Sequence, residues 1–318
     1  MPDRFLKPPA VALGARIAVV SLASSARADR ITRGIEYLRS LGYDAVAGEH
    51  AYGKQLPYFS GSVEDRLADL HSAFSDAAVA AIICTRGGYG SNYLLEGLDL
   101  DLIRSHPKPL FAYSDITAIQ TWLLDQARLV AFHGPMAAAD FSLDKAGIHL
   151  ESFRAAIGGG LVRVGTAEGL RVLRPGTARG ILYGGCLSML TASLGTRFAP
   201  QTEGKLVFIE DVGVKPYQID RMLRQMILAG KFEGARGFIF GEMIDCGSRG
   251  ADPDLLQQVV LRLLEPINGP IAIGLRSGHV SGGNITLPFG TEAELLVEGD
   301  QPLLHFLDRA VTVPRNAR

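Results

Sequence analysis

Several things are scarce in this chain, and each scarcity excludes something. Among 318 residues there are three cysteines, Cys84, Cys186 and Cys246. They are widely spaced and form no C-x-x-C pair, so a disulfide framework is not expected and a reducing compartment suits them. Neither sign of charge is in excess, with 32 Lys plus Arg against 33 Asp plus Glu. That balance offers no electrostatic footprint for nucleic acid or for an anionic membrane. No run approaches the roughly 18 apolar residues of a membrane span. The opening Met-Pro-Asp-Arg-Phe-Leu-Lys-Pro-Pro lacks the apolar core of a signal peptide. Metal and nucleotide signatures are absent too: no H-E-x-x-H, no G-x-x-x-x-G-K-[ST], no G-x-G-x-x-G. The expectation is a soluble, cytoplasmic protein without a metal, a cofactor, a nucleic-acid partner or a membrane partner.

What is present is an ordinary globular composition, 47% hydrophobic, on a chain long enough for two domains. Buried-strand patterns at Arg16–Ala23, Tyr43–Ala47, Val79–Cys84, Pro109–Tyr113 and Val130–His133 alternate with helical ones. In the first helix Ile31, Ile35, Leu38 and Leu41 recur at helical spacing; Ser62 opens the second, which runs through Leu67, Leu70 and Phe74. This alternation predicts an α/β fold whose N-terminal domain, residues 1–157, is a doubly wound parallel sheet of Rossmann or flavodoxin type. After Gly158-Gly-Gly160 the pattern breaks into short strands split by Gly and Pro. Residues 158–168 therefore read as a linker and 169–318 as a second, mixed β/α domain.

One stretch organises the rest. The apolar run Pro109-Leu-Phe-Ala-Tyr113 stops at Ser114, and from Thr117 the recurrence is helical. A serine at that corner ends a strand and begins a helix, which is where open parallel sheets bind ligands and where the helix dipole favours negative charge. Two readings fit Ser114: a helix cap or a nucleophile. A nucleophile needs a base and an orienting acid. Of seven histidines, His133 and His279 follow strands beside glycine, and Glu210 ends the apolar run Leu206–Ile209, where an unpaired carboxylate is costly. Singly, each reads more readily as a structural residue.

Taken together, the segments are recognisable. Ile82-Ile-Cys-Thr-Arg-Gly-Gly-Tyr-Gly90, Tyr113-Ser-Asp-Ile-Thr117, His133-Gly-Pro135, Ile209-Glu-Asp-Val212 with Tyr217 and Asp220-Arg221, and Gly278-His279 followed by Asn284 and Leu287-Pro288 occur in that order. In these the chain resembles the serine LD-carboxypeptidase family, the cytoplasmic murein tetrapeptide carboxypeptidases and their microcin-immunity relatives, over nearly its whole length. The resemblance implies Ser114 as nucleophile, His279 as general base and acid, and Glu210 as the carboxylate that fixes the imidazole tautomer. It also implies an oxyanion hole from the amides of Asp115 and Gly88, a second domain of swivelling type, and a homodimer. The triad would join the two domains. Ala112 and Ile116 break G-x-S-x-G, so the triad would sit on a scaffold other than that of α/β-hydrolases.

By the same analogy the substrate is a murein tetrapeptide from wall turnover, cut between an L-centre and its terminal D-alanine. Its free carboxylate needs a cation, with Arg86, Arg221 and Arg276 as candidates and Tyr89 and Tyr217 as pocket residues. Cys186 and Ala112 depart from the family pattern, where Asn and Gly are expected. Two other functions compete. A microcin-immunity-like amidase would cut peptidyl or aminoacyl adenylates; the single tryptophan, Trp122, reads as core rather than as a platform for a purine. A non-catalytic domain holding a small ligand would have no need of Ser, Glu and His together.

Overall fold

A computed structural model of the chain describes residues 5–54, 57–247, 252 and 254–313. The first part alternates as the apolar runs predict. Its elements are β1 (Arg16–Val20), α1 (Ala28–Ser40), β2 (Asp44–Ala47), α2 (Val63–Ser75), β3 (Val79–Cys84), α3 (Leu100–Ser105), β4 (Leu110–Ala112), α4 (Thr117–Asp125), β5 (Ala131–His133) and α5 (Leu150–Gly158). Next come β6 (Arg163–Val164), β7 (Arg171–Arg174), β8 (Gly176–Cys186), α6 (Leu187–Ala192), β9 (Lys205–Glu210), α7 (Pro216–Leu228), β10 (Gly237–Gly241), α8 (Leu255–Leu264) and β11 (Ile271–Leu275). The last strands are β12 (Leu287–Phe289), β13 (Glu292–Val297) and β14 (Leu303–Phe306).

The chain forms two units. One takes the described residues of Met1–Gly160, Gly282–Gly290 and Arg309–Arg318; the other takes Leu161–Ser281 and Thr291–Asp308. The sheet of the first unit has the order β12-β5-β4-β3-β1-β2. Five of these strands run parallel in the flavodoxin-type order 2-1-3-4-5. β12 adds antiparallel to β5, with Leu287 opposite His133. Strands β3 and β4 are buried almost throughout, as a parallel sheet covered on both faces requires. The helices obey the same economy: α1 buries Ile31, Gly34, Ile35 and Leu38 at helical spacing, and α2 starts from a capping box between Ser62 and Asp65.

The second unit is mixed. Parallel β8, β9, β10 and β11 form its centre; β13, β14 and β6 extend one edge antiparallel, and β7 the other. Val207, Ile209, Phe238, Phe240, Ile271 and Ile273 of the central strands pack with Ile219, Leu223 and Met226 of α7 and with Val260 and Leu264 of α8.

Two features of the expected division differ. Residues 158–168 are not a free linker, because β6 lies inside them and pairs with β14. The second unit also gives Gly282–Gly290 back to the first. β12 is only three residues long and carries Pro288; at a sheet edge proline is tolerated because no ladder bond is asked of its nitrogen. Among the described residues, no helix is long and apolar enough to cross a membrane.

Candidate functional site

Ser114 sits where β4 ends, and its backbone is in the left-handed region, at φ 64°. A non-glycine residue pays about 1–3 kcal/mol for such a conformation and keeps it only when its surroundings over-determine it. Those surroundings are visible. Gln120, buried on α4, donates through Nε2 to Ala112 O at 2.8 Å and to Phe132 O at 2.9 Å, pinning the corner to β5. Ser114–Ile116 make a tight 3-10 turn before α4, and Ser114 provides no capping bond to it. The capping reading therefore fails. What remains is a strained serine at a strand-to-helix corner.

The glycine loop lies directly against this corner. A Cβ on Gly87 would fall 2.8 Å from Ser114 Cβ, 2.9 Å from Ser114 Oγ and 3.1 Å from Asp115 N. Only glycine admits the loop backbone that close. Ser24 Oγ accepts from Tyr89 N at 3.0 Å and holds the loop from its other side. Asp115 is buried and its carboxylate Oδ2 accepts from Ser91 N at 2.8 Å. Burial raises the Asp115 carboxyl above its ordinary value, while the bonds from Ser91 and the charge of Arg66 pull it down. His133, the alternative base, is fully buried, stacked on Phe289 at 5.1 Å and 6.0 Å from the Tyr113 ring. It is a core side chain of the first unit.

In the second unit Glu210 ends β9 and is fully buried. Its Oε2 accepts two bonds from one residue: His279 N at 3.0 Å and His279 Nδ1 at 2.7 Å. An acceptor on Nδ1 fixes the proton there and leaves Nε2 with its lone pair, the arrangement of a general base. The close approach depends on Gly278, at φ 91°, where a Cβ would come within 2.6 Å of Glu210 Cδ. The loop carrying His279 is braced on both flanks. Arg276 N donates to Glu168 O at 3.1 Å, and Ser281 donates through N and Oγ to Glu242 at 2.9 and 2.7 Å.

Beside Glu210, Asp211 is also buried and accepts from Ser188 N at 2.8 Å and from its neighbour Val212 N at 2.9 Å. Burial raises its carboxyl, and the adjacent Glu210 charge raises it further. Cys186, in register with Glu210 on β8, is buried, and burial together with the Glu210 and Asp211 charges holds its thiol well above the usual range. Cys246, whose Sγ lies 3.6 Å from Asp211 O, is pushed up to about 11, chiefly by burial. Both thiols are held in their neutral, unreactive form at neutral pH.

The structure thus brings Gly87 of the glycine loop against Ser114 and Asp115, with the next residue, Gly88, packed on Ser24, and pairs Glu210 with His279 in another cluster. The substrate-binding candidates are less concentrated. Arg86 is exposed in the glycine loop, and Tyr89 is half exposed in a ring cluster with Tyr58, Phe59 and Tyr93. Tyr217 and Arg221 are exposed on α7. Arg276 Nη2 donates to Ala167 O at 2.8 Å, at the rim of a cavity of about 560 Å³ that Arg171, Glu242 and Ser281 also line. Arg66, Ser91 and Asp211 escaped the sequence reading. For Arg66 a signal existed: 66, 69, 70, 73 and 74 are the buried positions of α2, so the arginine lies on the helix's inward stripe.

Residues 17–134 match the LD-carboxypeptidase N-terminal domain and residues 179–295 the LD-carboxypeptidase C-terminal domain. The chain belongs to the LD-carboxypeptidase family. This family member is a peptidase, hence a hydrolase. It is 37% identical to the probable murein peptide carboxypeptidase of Bacillus subtilis over 292 residues, 91% of each chain. Its fold superposes on the muramoyltetrapeptide carboxypeptidase of Oxalobacter formigenes with a TM-score of 0.83, at 26% identity, covering 94% of this chain and 100% of that one. An MccF-like protein of Bacillus anthracis matches with a TM-score of 0.86, at 25% identity, covering 96% of this chain and 100% of that one.

Proposed function

We propose that the protein is a serine LD-carboxypeptidase that releases the terminal D-alanine of murein tetrapeptides during wall recycling. The observation that carries the reading is the Glu210–His279 pair, in which one buried carboxylate oxygen holds both the backbone amide and Nδ1 of the histidine. A histidine so held carries its proton on Nδ1 and presents Nε2 as the basic nitrogen. In this mechanism Ser114 Oγ attacks the scissile carbonyl and its proton passes to His279 Nε2. The amides of Gly88 and Asp115 receive the developing oxyanion, each such donor being worth roughly 2.7–4 kcal/mol. His279 then returns the proton to the departing amine of D-alanine, and water, deprotonated by the same nitrogen, hydrolyses the acyl-enzyme.

Among the cationic candidates we assign the substrate's free carboxylate to Arg86. It stands two residues from Gly88 in the exposed glycine loop, whereas Arg276 spends an N–H on Ala167 O. Tyr89, in the same loop, would flank the peptide. The likeness to an MccF-like protein supports a second reading with the same residues acting on a peptidyl or aminoacyl adenylate.

One experiment separates these. Purified wild type and Ser114→Ala are incubated with murein tetrapeptide, and D-alanine release is followed by mass spectrometry. The proposal expects release by wild type and a loss of about 10⁶-fold in kcat in the variant. Equal release by both would remove Ser114 as nucleophile. No release by wild type, with turnover of an aminoacyl adenylate instead, would establish the second reading.

A further inference from the structure

Arg66 is among the most deeply buried charged side chains of the described chain, at 2% exposure, and the mechanism above makes no use of it. Burying a guanidinium is expensive unless its donors are spent and its charge is answered. Its Nε donates to Ser62 O at 3.1 Å, and its Nη1 to Leu22 O at 3.1 Å and to Gly90 O at 2.8 Å. The Phe59 ring lies 5.0 Å from its Cζ. The Gly90 bond is the telling one. Gly90 C=O and Ser91 N–H are the two ends of a single peptide group, and Ser91 N donates at 2.8 Å to Asp115 Oδ2. Ser91 Oγ adds a bond of 2.6 Å to Asp115 O. A cation therefore grips the carbonyl end of one peptide and an anion grips its amide end.

That peptide closes the glycine loop, and the anion belongs to the residue after Ser114. We propose that Arg66 and Asp115 clamp the Gly90–Ser91 peptide and so act as positioning residues for the oxyanion hole, an inference that rests on the serine-hydrolase reading above. The clamp fixes the loop that carries Gly88 to the segment that carries the Asp115 amide, so both donors keep one spacing. It also answers an electrostatic problem. A buried carboxylate one residue from the nucleophile opposes the negative charge of a tetrahedral intermediate. The guanidinium at the far end of the same peptide offsets it, with the peptide dipole aligned between them.

The test uses the full-length protein and two readouts. The first is the rate at which a fluorophosphonate labels Ser114, a reaction in which a P–O bond forms, fluoride leaves and the serine proton passes to the base. The second is kcat and KM for D-alanine release from murein tetrapeptide. Arg66→Gln is expected to slow labelling and lower kcat by about 10²-fold, the scale of a displaced catalytic donor, with KM changed less than about threefold. Arg66→Lys restores part of the loss. The double variant Arg66→Gln/Asp115→Asn is expected to lose far less than the product of the two single losses, because removing the cation no longer strands an anion.

Labelling of a folded Arg66→Gln protein at the wild-type rate overturns the proposal, as does strict multiplication of the two single losses in the double variant. Should Arg66→Gln not fold, Arg66→Lys and Asp115→Asn decide: a fall in kcat at constant KM in both supports the clamp, and wild-type rates in both overturn it. Wild type that labels but releases no D-alanine sinks the substrate assignment while the labelling rates still judge the clamp. Wild type that does not label at all sinks the serine reading, and the clamp's role falls with it.

Discussion

Two strand ends in this molecule solve the same problem in opposite ways. At Ser114–Asp115 and at Glu210–Asp211 a residue of the proposed triad stands at the carboxyl end of a parallel strand and is followed by a buried aspartate. Each aspartate accepts a backbone amide from a neighbouring segment at 2.8 Å, Ser91 after the glycine loop in one case and Ser188 in the first turn of α6 in the other. The two strand ends aim the proposed catalytic side chains differently. Ser114 is aimed by its backbone, held at φ 64° in a conformation that serine resists. His279, the partner at the other end, is aimed by a side chain, the doubly accepting carboxylate of Glu210. Backbone aiming stores strain and survives removal of the side chain; side-chain aiming is lost with one atom.

The largest expected effect breaks the second device. Glu210→Gln keeps the shape and replaces an acceptor-only carboxylate by an amide. If its NH₂ faces the ring, Nδ1 is forced to accept and the proton moves to Nε2, leaving no base toward the substrate. A loss of about 10⁴-fold in kcat is expected, on the scale seen when a triad acid is made an amide. A loss smaller than tenfold would show that Glu210 does not set the tautomer.

Next comes a pair of glycine substitutions, one at each device. Gly278→Ala puts a methyl within 2.6 Å of Glu210 Cδ and does so at φ 91°. Neither the buried carboxylate nor the backbone has room to yield, so we expect a stability loss of about 2–4 kcal/mol and an activity loss of at least about 10²-fold. Gly87→Ala meets Ser114 Cβ at 2.8 Å without a positive φ, and the expected stability loss is smaller, about 1–3 kcal/mol. Urea unfolding midpoints and kcat measured on both variants check the order. The reverse order would mean that the Ser114 corner is the more rigid of the two.

Much of this was legible from residues alone, and the gaps have physical causes. The strand-end positions of Ser114 and Glu210 follow from apolar runs that stop abruptly, because a parallel strand buried on both faces must end where polar chemistry begins. The parallel order of the first sheet follows from alternation. The positive φ of Ser114 has no sequence signature, since serine is not a residue that announces a left-handed turn. Arg66 was hidden because a charged residue near a helix start reads as solvated, although its place on the buried stripe contradicts that. Arg276 stands in a strand-end motif and offered itself as a substrate cation, but one of its N–H groups goes to Ala167 O. The return of Gly282–Gly290 to the first unit is a long-range pairing, and no local pattern reports which sheet a three-residue strand will join.

A smaller effect separates strain from contact. Ser114→Gly removes the proposed nucleophile, so loss of activity is expected, but it also releases the left-handed residue from its penalty. Against the extra freedom glycine gives the unfolded chain, a net gain of roughly 1 kcal/mol in stability is expected. Glu210→Gln has no strain to release and should lose stability. An inactive Ser114→Gly protein with an unchanged or lower unfolding midpoint would mean that the corner is not strained by its serine.

The smallest effect distinguishes the two aspartates. Burial raises both carboxyls, but Arg66 pulls Asp115 down while the Glu210 charge pushes Asp211 up. A carboxyl whose folded value exceeds its unfolded value binds its proton more tightly when folded. Its stabilising contribution is therefore complete below the ordinary value of 3.8 and is lost as pH rises through the raised folded value. Measured against Asp211→Asn, which does not titrate, wild type should gain relative stability as pH falls through that window. Measured against Asp115→Asn, the same gain should be smaller, because a cation has already made the charged form tolerable. Urea unfolding of the three proteins at a series of pH values reads both gaps. Equal pH dependence in the two would mean that neither Arg66 nor Glu210 acts on its neighbouring aspartate, and the electrostatic half of the contrast between the two strand ends would fall.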